Sequence, residues 1–307
     1  FFIQNSTRKY EWLLVSVTLI AATGWVFTKN ALMEFPPYIF LALRFGLAAL
    51  ILLSLSGSQL LKLDRNKFIQ SFGTGILLGL TLLVWVLAIK ATKSIGEGAF
   101  IVSLTVVLVP LISRIFFGEK LGASLIVALL PAVMGLALLS LRLDESGNIL
   151  WSLDSTHLLF FISTIGFAFH VIYTARYAKS IPVLALTTIQ LLAITFVAIL
   201  AALIFEQWPA ELSQVSWLWL LCSAVIATSL RFALQTKSMV HLNPNHAVMI
   251  FMLEPVWTSF LGAWFLDESM EAKQLLGCCL IFCALIIYRA PDMLSMLKEK
   301  RNRNMVE

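Results

Sequence analysis

Ten apolar runs, each about as long as a bilayer is thick, dominate this sequence. They lie at 12–30, 36–56, 68–89, 97–117, 122–141, 156–178, 182–205, 216–238, 246–266 and 272–290. A helix needs ~20 mostly apolar residues to cross the hydrocarbon core. Only helices and closed barrels can cross it, because lipid offers no partner to a backbone N–H or C=O. The runs lack the period-two alternation of barrel strands, so they are read as helices. Composition agrees: 60% of the 307 residues are hydrophobic and 13% are charged, about half the charge of a soluble domain. That excludes a water-soluble globule, a disordered chain and a collagenous repeat. The expected fold class is an all-α polytopic membrane protein with ten transmembrane helices. The first run shows no small-x-small cleavage site and runs on to Lys29, so it is read as a helix and not as a leader.

Charge placement sets an expected orientation. With the N-terminus in the cytoplasm, fifteen Lys and Arg fall on the inner side and five on the outer. Acidic residues lean the other way, ten outside and six inside. This three-to-one basic bias predicts both termini in the cytoplasm. It also accounts for the basic stretch from Lys298 to Arg303, within a tail spanning 291–307, as attraction to anionic lipid heads and not to nucleic acid. Cys222, Cys278, Cys279 and Cys283 sit inside apolar runs. Their spacing fits neither a disulfide framework nor a zinc site, and they are read as small packing residues.

The halves repeat. Spans one to five occupy 12–141, a polar linker occupies 142–154, and spans six to ten occupy 155–290. Pro37 precedes Arg44 by seven residues, and Pro182 precedes Gln190 by eight. Ala88-Ile89-Lys90 is answered by Ala233-Leu234-Gln235, and Ala99 to Glu119 by Ala247 to Glu268. Five spans is an odd number, so the second copy must enter from the opposite side. Two inverted five-helix repeats are a transporter architecture, with a site near the midplane between the halves.

These residues resemble the EamA-like transporters of the drug/metabolite transporter superfamily. The matching pieces are Gly24-Trp25 with Lys29, Arg44 in span two, and Ala99-Phe100 followed by Val107-Leu108-Val109-Pro110. Gly118-Glu119-Lys120-Leu121, Tyr173-Thr174-Ala175-Arg176, and Leu253-Glu254-Pro255 with Asp267-Glu268 complete the set. The resemblance implies alternating access to a central cavity in a bacterial inner membrane. Its members carry amino acids, nucleotide-derived metabolites, vitamins or toxic organic cations, in either direction.

Ionisable side chains in hydrocarbon cost a few kcal/mol each, ~2.5–3.5 on insertion scales, and are functional candidates by default. Arg44 is either an anion contact or a structural arginine tying helices of the two repeats. Glu254 precedes Pro255, which frees the carbonyl of Phe251. A carboxyl beside a kink can gate or bind a proton; the alternative is a buried pair with Arg231. Arg231 and Gln235 share a helical face that suits a substrate carboxylate. His170 and Tyr173 lie three apart on span six, where the imidazole could shuttle protons or sit satisfied in the core. Trp25 and Trp85 supply rings for a cavity wall. Lys90 ends span three, guarding the outer mouth or snorkelling to the interface. Trp12, Trp151, Trp208, Trp217 and Trp219 fall near span ends and read as interfacial anchors.

Glycines 73, 75 and 79, with Gly262 and Gly277, read as close-packing points and not as a phosphate cradle. Zinc-protease, nucleophile-elbow and Walker signatures are absent from the sequence, which argues against an intramembrane enzyme or a nucleotide-driven pump. The expected function is a secondary transporter of a small polar or amphiphilic metabolite, with amino or organic acids favoured. Its partners would be that solute, membrane lipids and a coupling proton, with no cofactor. The alternatives are an exporter of organic cations or drugs and a flippase for a lipid-linked substrate.

Overall fold

The computed structural model describes residues 2–92, 95–140, 155–209, 211–242, 244–265 and 272–304. The linker 142–154, including Trp151, and the Asp267-Glu268 pair lie outside them. The described residues are helical and contain no strand. Span one is α1 (Phe2–Ala31), span two α2 (Pro37–Leu60) and span three α3 (Arg65–Ala91). Span four is divided into α4 (Ile95–Ser103) and α5 (Thr105–Phe117), and span five is α6 (Ala123–Ser140). In the second half, span six is α7 (Ser155–Tyr177) and span seven α8 (Val183–Phe205). Span eight runs through α9 (Gln214–Ala224), a π-helical stretch (Val225–Leu230) and α10 (Arg231–Met239). Span nine is α11 (Pro244–Phe251) and α12 (Leu253–Phe265), and span ten begins α13 (Ala272–Asn304), which continues unbroken into the basic tail. Eight of the spans are long and apolar enough to cross a bilayer; the apolar parts of spans five and ten, Ala123–Leu138 and Leu275–Tyr288, are shorter.

Helix pairing follows a pseudo-two-fold axis. Spans two and seven pack on each other, as do five and ten. Span one packs on eight and nine, and span six on three and four; span two packs on eight, and span seven on three. Every pair has its counterpart in the other repeat, as inverted repeats require. The helix starts are matched as well. Pro36 caps α2 and Pro182 caps α8, each eight residues before Arg44 or Gln190. Pro36, and not Pro37, is therefore the counterpart of Pro182.

Three spans depart from a continuous α-helix, and side chains explain each departure. Pro255 lacks the N–H that would bond the Phe251 carbonyl, and span nine breaks at Met252. Span four breaks at Leu104, the equivalent register, since both residues lie five after the leading Ala99 or Ala247. There the Ser103 and Thr105 hydroxyls bond back to the carbonyls of Ala99 and Val102, which bends a helix. In span eight the hydroxyls of Thr228 and Ser229 donate to the carbonyls five residues earlier, Ser223 and Ala224, at 2.8 Å each. They satisfy acceptors that the wider turn leaves open.

Between helices in lipid, close packing replaces the hydrophobic drive, so small residues sit at crossings. A Cβ on Gly75 would lie 2.7 Å from the Gln190 Cα and the Ala193 Cβ of span seven. One on Gly135 would lie 2.7 Å from the Gly277 carbonyl of span ten. Gly73 meets nothing within 4 Å, so it is not a packing point. Trp12, Trp208 and Trp217 are exposed near span ends, while Trp219 packs on Phe27 instead. Cys278 is buried, but Cys279 and Cys283 are exposed on span ten; these two are not packing residues of the core.

Candidate functional site

Repeat one gives spans one to four, and repeat two gives spans six, eight and nine, to the walls of a central cavity. Its volume is ≈ 100 Å³, room for several waters at roughly 10–15 Å³ each on that measure. The walls come from interior turns of the spans, not from their ends.

Trp25, Arg44, Trp85, His170, Arg231, Gln235 and Glu254 all line it. Glu254 opens α12 directly after the break at Met252. A carboxylate in the first turn of a helix is favoured by the exposed N–H groups there. Its Oε1 accepts a hydrogen bond from Trp25 Nε1 at 2.8 Å, and its Oε2 lies 3.8 Å from Arg231 Nη2. The expected Arg231–Glu254 pair is present, but it is loose and faces the cavity. Arg231 Nε and Gln235 Oε1 are buried with no hydrogen-bond partner among the described residues. Such groups are costly unless a solute or water meets them. The Trp25 and Trp85 rings meet edge to face at 5.2 Å, and Phe167 meets Trp85 at 6.5 Å. The aromatic wall thus adjoins the charged corner, and the Trp25–Glu254 bond joins them.

Arg44 touches the cavity but spends its donors elsewhere. Nε donates to Thr228 Oγ1 at 2.7 Å, Nη1 to Thr28 Oγ1 at 2.8 Å and Nη2 to the Ala227 carbonyl at 3.4 Å. Phe40 and Phe45 lie beneath the guanidinium. It ties spans one and two of the first repeat to the π-helical turn of the second. Of the two sequence alternatives, this geometry matches the structural one.

His170, buried in span six, has Nε2 at 3.1 Å from Thr174 Oγ1, and Thr174 accepts from Gln190 Nε2 at 3.0 Å. Gln190 was visible in the sequence only as the counterpart of Arg44, and its part in this chain was missed. Ser103 and Thr105 also line the cavity and were not anticipated; two hydroxyls in the middle of an apolar run were the available signal. Two expected site residues lie away from the cavity. Lys90 is exposed at the end of span three. Tyr173 stacks on Phe169 and Tyr177, with Phe117 against its edge; although it stands only about 60° round the helix from His170, its ring joins this aromatic row and does not line the cavity.

The span ends are tied by polar clamps. Lys29 donates to the Ile89 and Thr92 carbonyls at the end of span three. Glu206 accepts from the backbone N–H groups of Tyr38 and Ile39, which begin α2 and lack a side-chain cap of their own. Glu34, between spans one and two, accepts from the backbone N–H and hydroxyl of Ser213 at 2.8 Å each. The Ser213 backbone bond, then its hydroxyl, hold the Glu34 carboxyl below its ordinary pKa. At the opposite ends, Arg176 meets Glu119 at 2.8 Å and covers the Phe117 ring.

Ten membrane passes in two inverted repeats, closed around a polar cavity at their junction, define a multi-pass membrane transporter. The EamA-like transporter family matches the chain twice, over residues 8–141 and 154–289, and the chain belongs to that family. It is similar to the uncharacterized transporter YoaV of Bacillus subtilis (strain 168), 23% identical over 278 residues, covering 89% of this chain and 94% of that one. A solved crystal structure at 15% identity covers 92% of this chain and 96% of its own, with a TM-score of 0.72. That likeness extends the fold to a distant sequence.

Proposed function

We propose that this transporter moves a small zwitterionic or anionic metabolite, an amino or organic acid, by alternating access between the two faces of a bacterial inner membrane. Both termini lie in the cytoplasm on this reading, as the basic bias of the inner loops requires. The observation that supports it is the loose Arg231–Glu254 pair with unpaired Arg231 Nε and Gln235 Oε1 beside it. A solute carboxylate can take the Arg231 fork, and a solute ammonium can approach Glu254. The aromatic wall of Trp25, Trp85 and Phe167 accepts an apolar side chain. Arg44 is engaged by Thr28, Thr228 and Ala227, but these partners are neutral and leave its charge in place, so Arg44, Arg231 and Glu254 give the lining one net positive charge. That charge favours zwitterions and anions over bare cations. Glu254, between Trp25 and Arg231 and beside the break in span nine, is the group that would carry a coupling proton.

The test is a competition panel in proteoliposomes loaded with a mixture of L-amino acids. Exchange of labelled amino or organic acids, blocked by one another and not by quaternary ammonium ions, supports the reading. Selective inhibition by organic cations alone overturns it in favour of a cation exporter.

A further inference from the structure

Thr174 has one hydroxyl proton and two lone pairs. One lone pair takes the N–H of Gln190 Nε2 at 3.0 Å. The proton then needs an acceptor, and the ring nitrogen at 3.1 Å is His170 Nε2. A nitrogen that accepts carries no proton, so the imidazole is neutral with its hydrogen on Nδ1. His170 is 3% exposed, yet it lines the cavity. Among the described residues, the hydrogen-bonding side chains beside the ring are Thr174, at Nε2, and Gln190, which bonds that same threonine. That leaves Nδ1 for the cavity that the residue lines, where Arg231 also acts on the ring electrostatically.

We infer that His170 is a specificity-determining residue, a fixed Nδ1–H donor to an acceptor oxygen of the transported solute, and that Thr174 and Gln190 are positioning residues that hold it in that tautomer. The inference rests on the solute reading above and deepens it. Two donors, Nδ1–H of His170 on span six and the Arg231 guanidinium on span eight, converge on one oxyanion from different helices. A carboxylate satisfies both; a quaternary ammonium ion satisfies neither. The same assignment removes His170 from proton coupling, because its second nitrogen is occupied by Thr174 and its first by the solute.

Two measurements test it. The first is the nitrogen-15 spectrum of histidine-labelled protein in liposomes, with the His170 signals identified by difference from His170→Asn. Protonated Nδ1 and bare Nε2 are expected, preserved in Thr174→Ser and lost or scrambled in Thr174→Val. Protonated Nε2 overturns the assignment. The second is uptake of labelled L-leucine. Asparagine places its amide near the Nδ1 position, and glutamine places it near Nε2. His170→Asn should keep KM within about threefold, whereas His170→Gln should raise it about tenfold at unchanged maximal rate, as loss of one charge-assisted bond does. Equal effects of the two variants, or none, overturn the role. If the wild-type protein takes up no leucine, the amino-acid reading fails, while the spectrum still decides the tautomer.

Discussion

Arg44 and Gln190 stand at equivalent places in the two repeats, and each bonds a threonine sixteen residues earlier: Arg44 Nη1 to Thr28 at 2.8 Å, Gln190 Nε2 to Thr174 at 3.0 Å. From there they diverge. Arg44 uses all three guanidinium nitrogens within the protein, while Gln190 leaves Oε1 buried and unpaired. The symmetric positions hold one rigid tie and one polar chain that ends at the cavity.

Arg44→Gln removes three bonds in a buried setting, two of which join the repeats. Removing one partner of buried charged-group bonds costs about 2–4 kcal/mol. The expected result is a clear fall in unfolding temperature in detergent, with the KM of surviving protein little changed. Arg44→Lys should not rescue stability, because one ammonium cannot reach Thr28, Thr228 and Ala227 with the geometry of a fork. A large KM change at normal stability would show that Arg44 holds substrate.

Glu254→Gln keeps an acceptor for Trp25 Nε1 but removes the charge opposite Arg231. If Glu254 carries the coupling proton, uptake in this variant loses its dependence on a pH gradient. Amino acids should also bind at least tenfold more weakly, from a lost ammonium partner. Proteoliposome uptake with and without an imposed gradient checks both. Undiminished gradient dependence in well-expressed protein removes the proton role.

Gly135→Ala should loosen the seam between spans five and ten, because the new methyl meets the Gly277 carbonyl and the Ile281 backbone at 2.7 and 3.0 Å. Backbone cannot yield as a side chain can, so a loss of about 1–3 kcal/mol is expected. Gly57→Ala is the control: a Cβ there meets nothing within 4 Å, and helical alanine should be neutral or stabilising by about 0.5–1 kcal/mol. Thermal unfolding of the two variants should move in opposite directions or differ plainly in size.

The Glu34–Ser213 clamp is pH-dependent with a definite sign. Because folding lowers the Glu34 pKa, its contribution is complete above the ordinary carboxylate value, about 4, and is lost as pH falls through the lower folded value. Ser213→Ala should therefore separate from wild type in unfolding temperature at pH 7, with the gap closing in acid. A gap that widens on acidification contradicts the clamp.

Gly118 ends span four with φ +66°. Gly118→Ala should cost about 1 kcal/mol from the left-handed backbone alone, although the position is open and its Cβ would meet no neighbour. A melting curve unchanged from wild type would show that the turn relaxes.

Much of this was legible in the chain because lipid imposes a simple rule. Any run of apolar residues long enough to cross must close its own backbone bonds, so hydropathy alone marks ten helices, and an odd count per repeat forces inversion. Pro255 even announced the break in span nine, through the N–H it lacks. The break at Leu104 and the π-helical turn at Val225–Leu230 had no such signal, because serine and threonine bend a helix only when their hydroxyls choose a carbonyl over another partner.

The site divides the same way. Buried polar residues inside apolar runs can be picked out one by one, since each is too costly to be accidental. What each one does depends on partners far away in sequence: Arg44 on Thr228, Trp25 on Glu254, and His170 on Gln190 through Thr174. Lys90 and Tyr173 looked equally promising and fall outside the cavity. Sequence thus determined the helices, their number and their inverted order, because those follow from local solvation of the backbone. Tertiary packing decided which polar groups are consumed as ties and which are left facing the cavity, because a hydrogen bond is spent only where two helices actually meet.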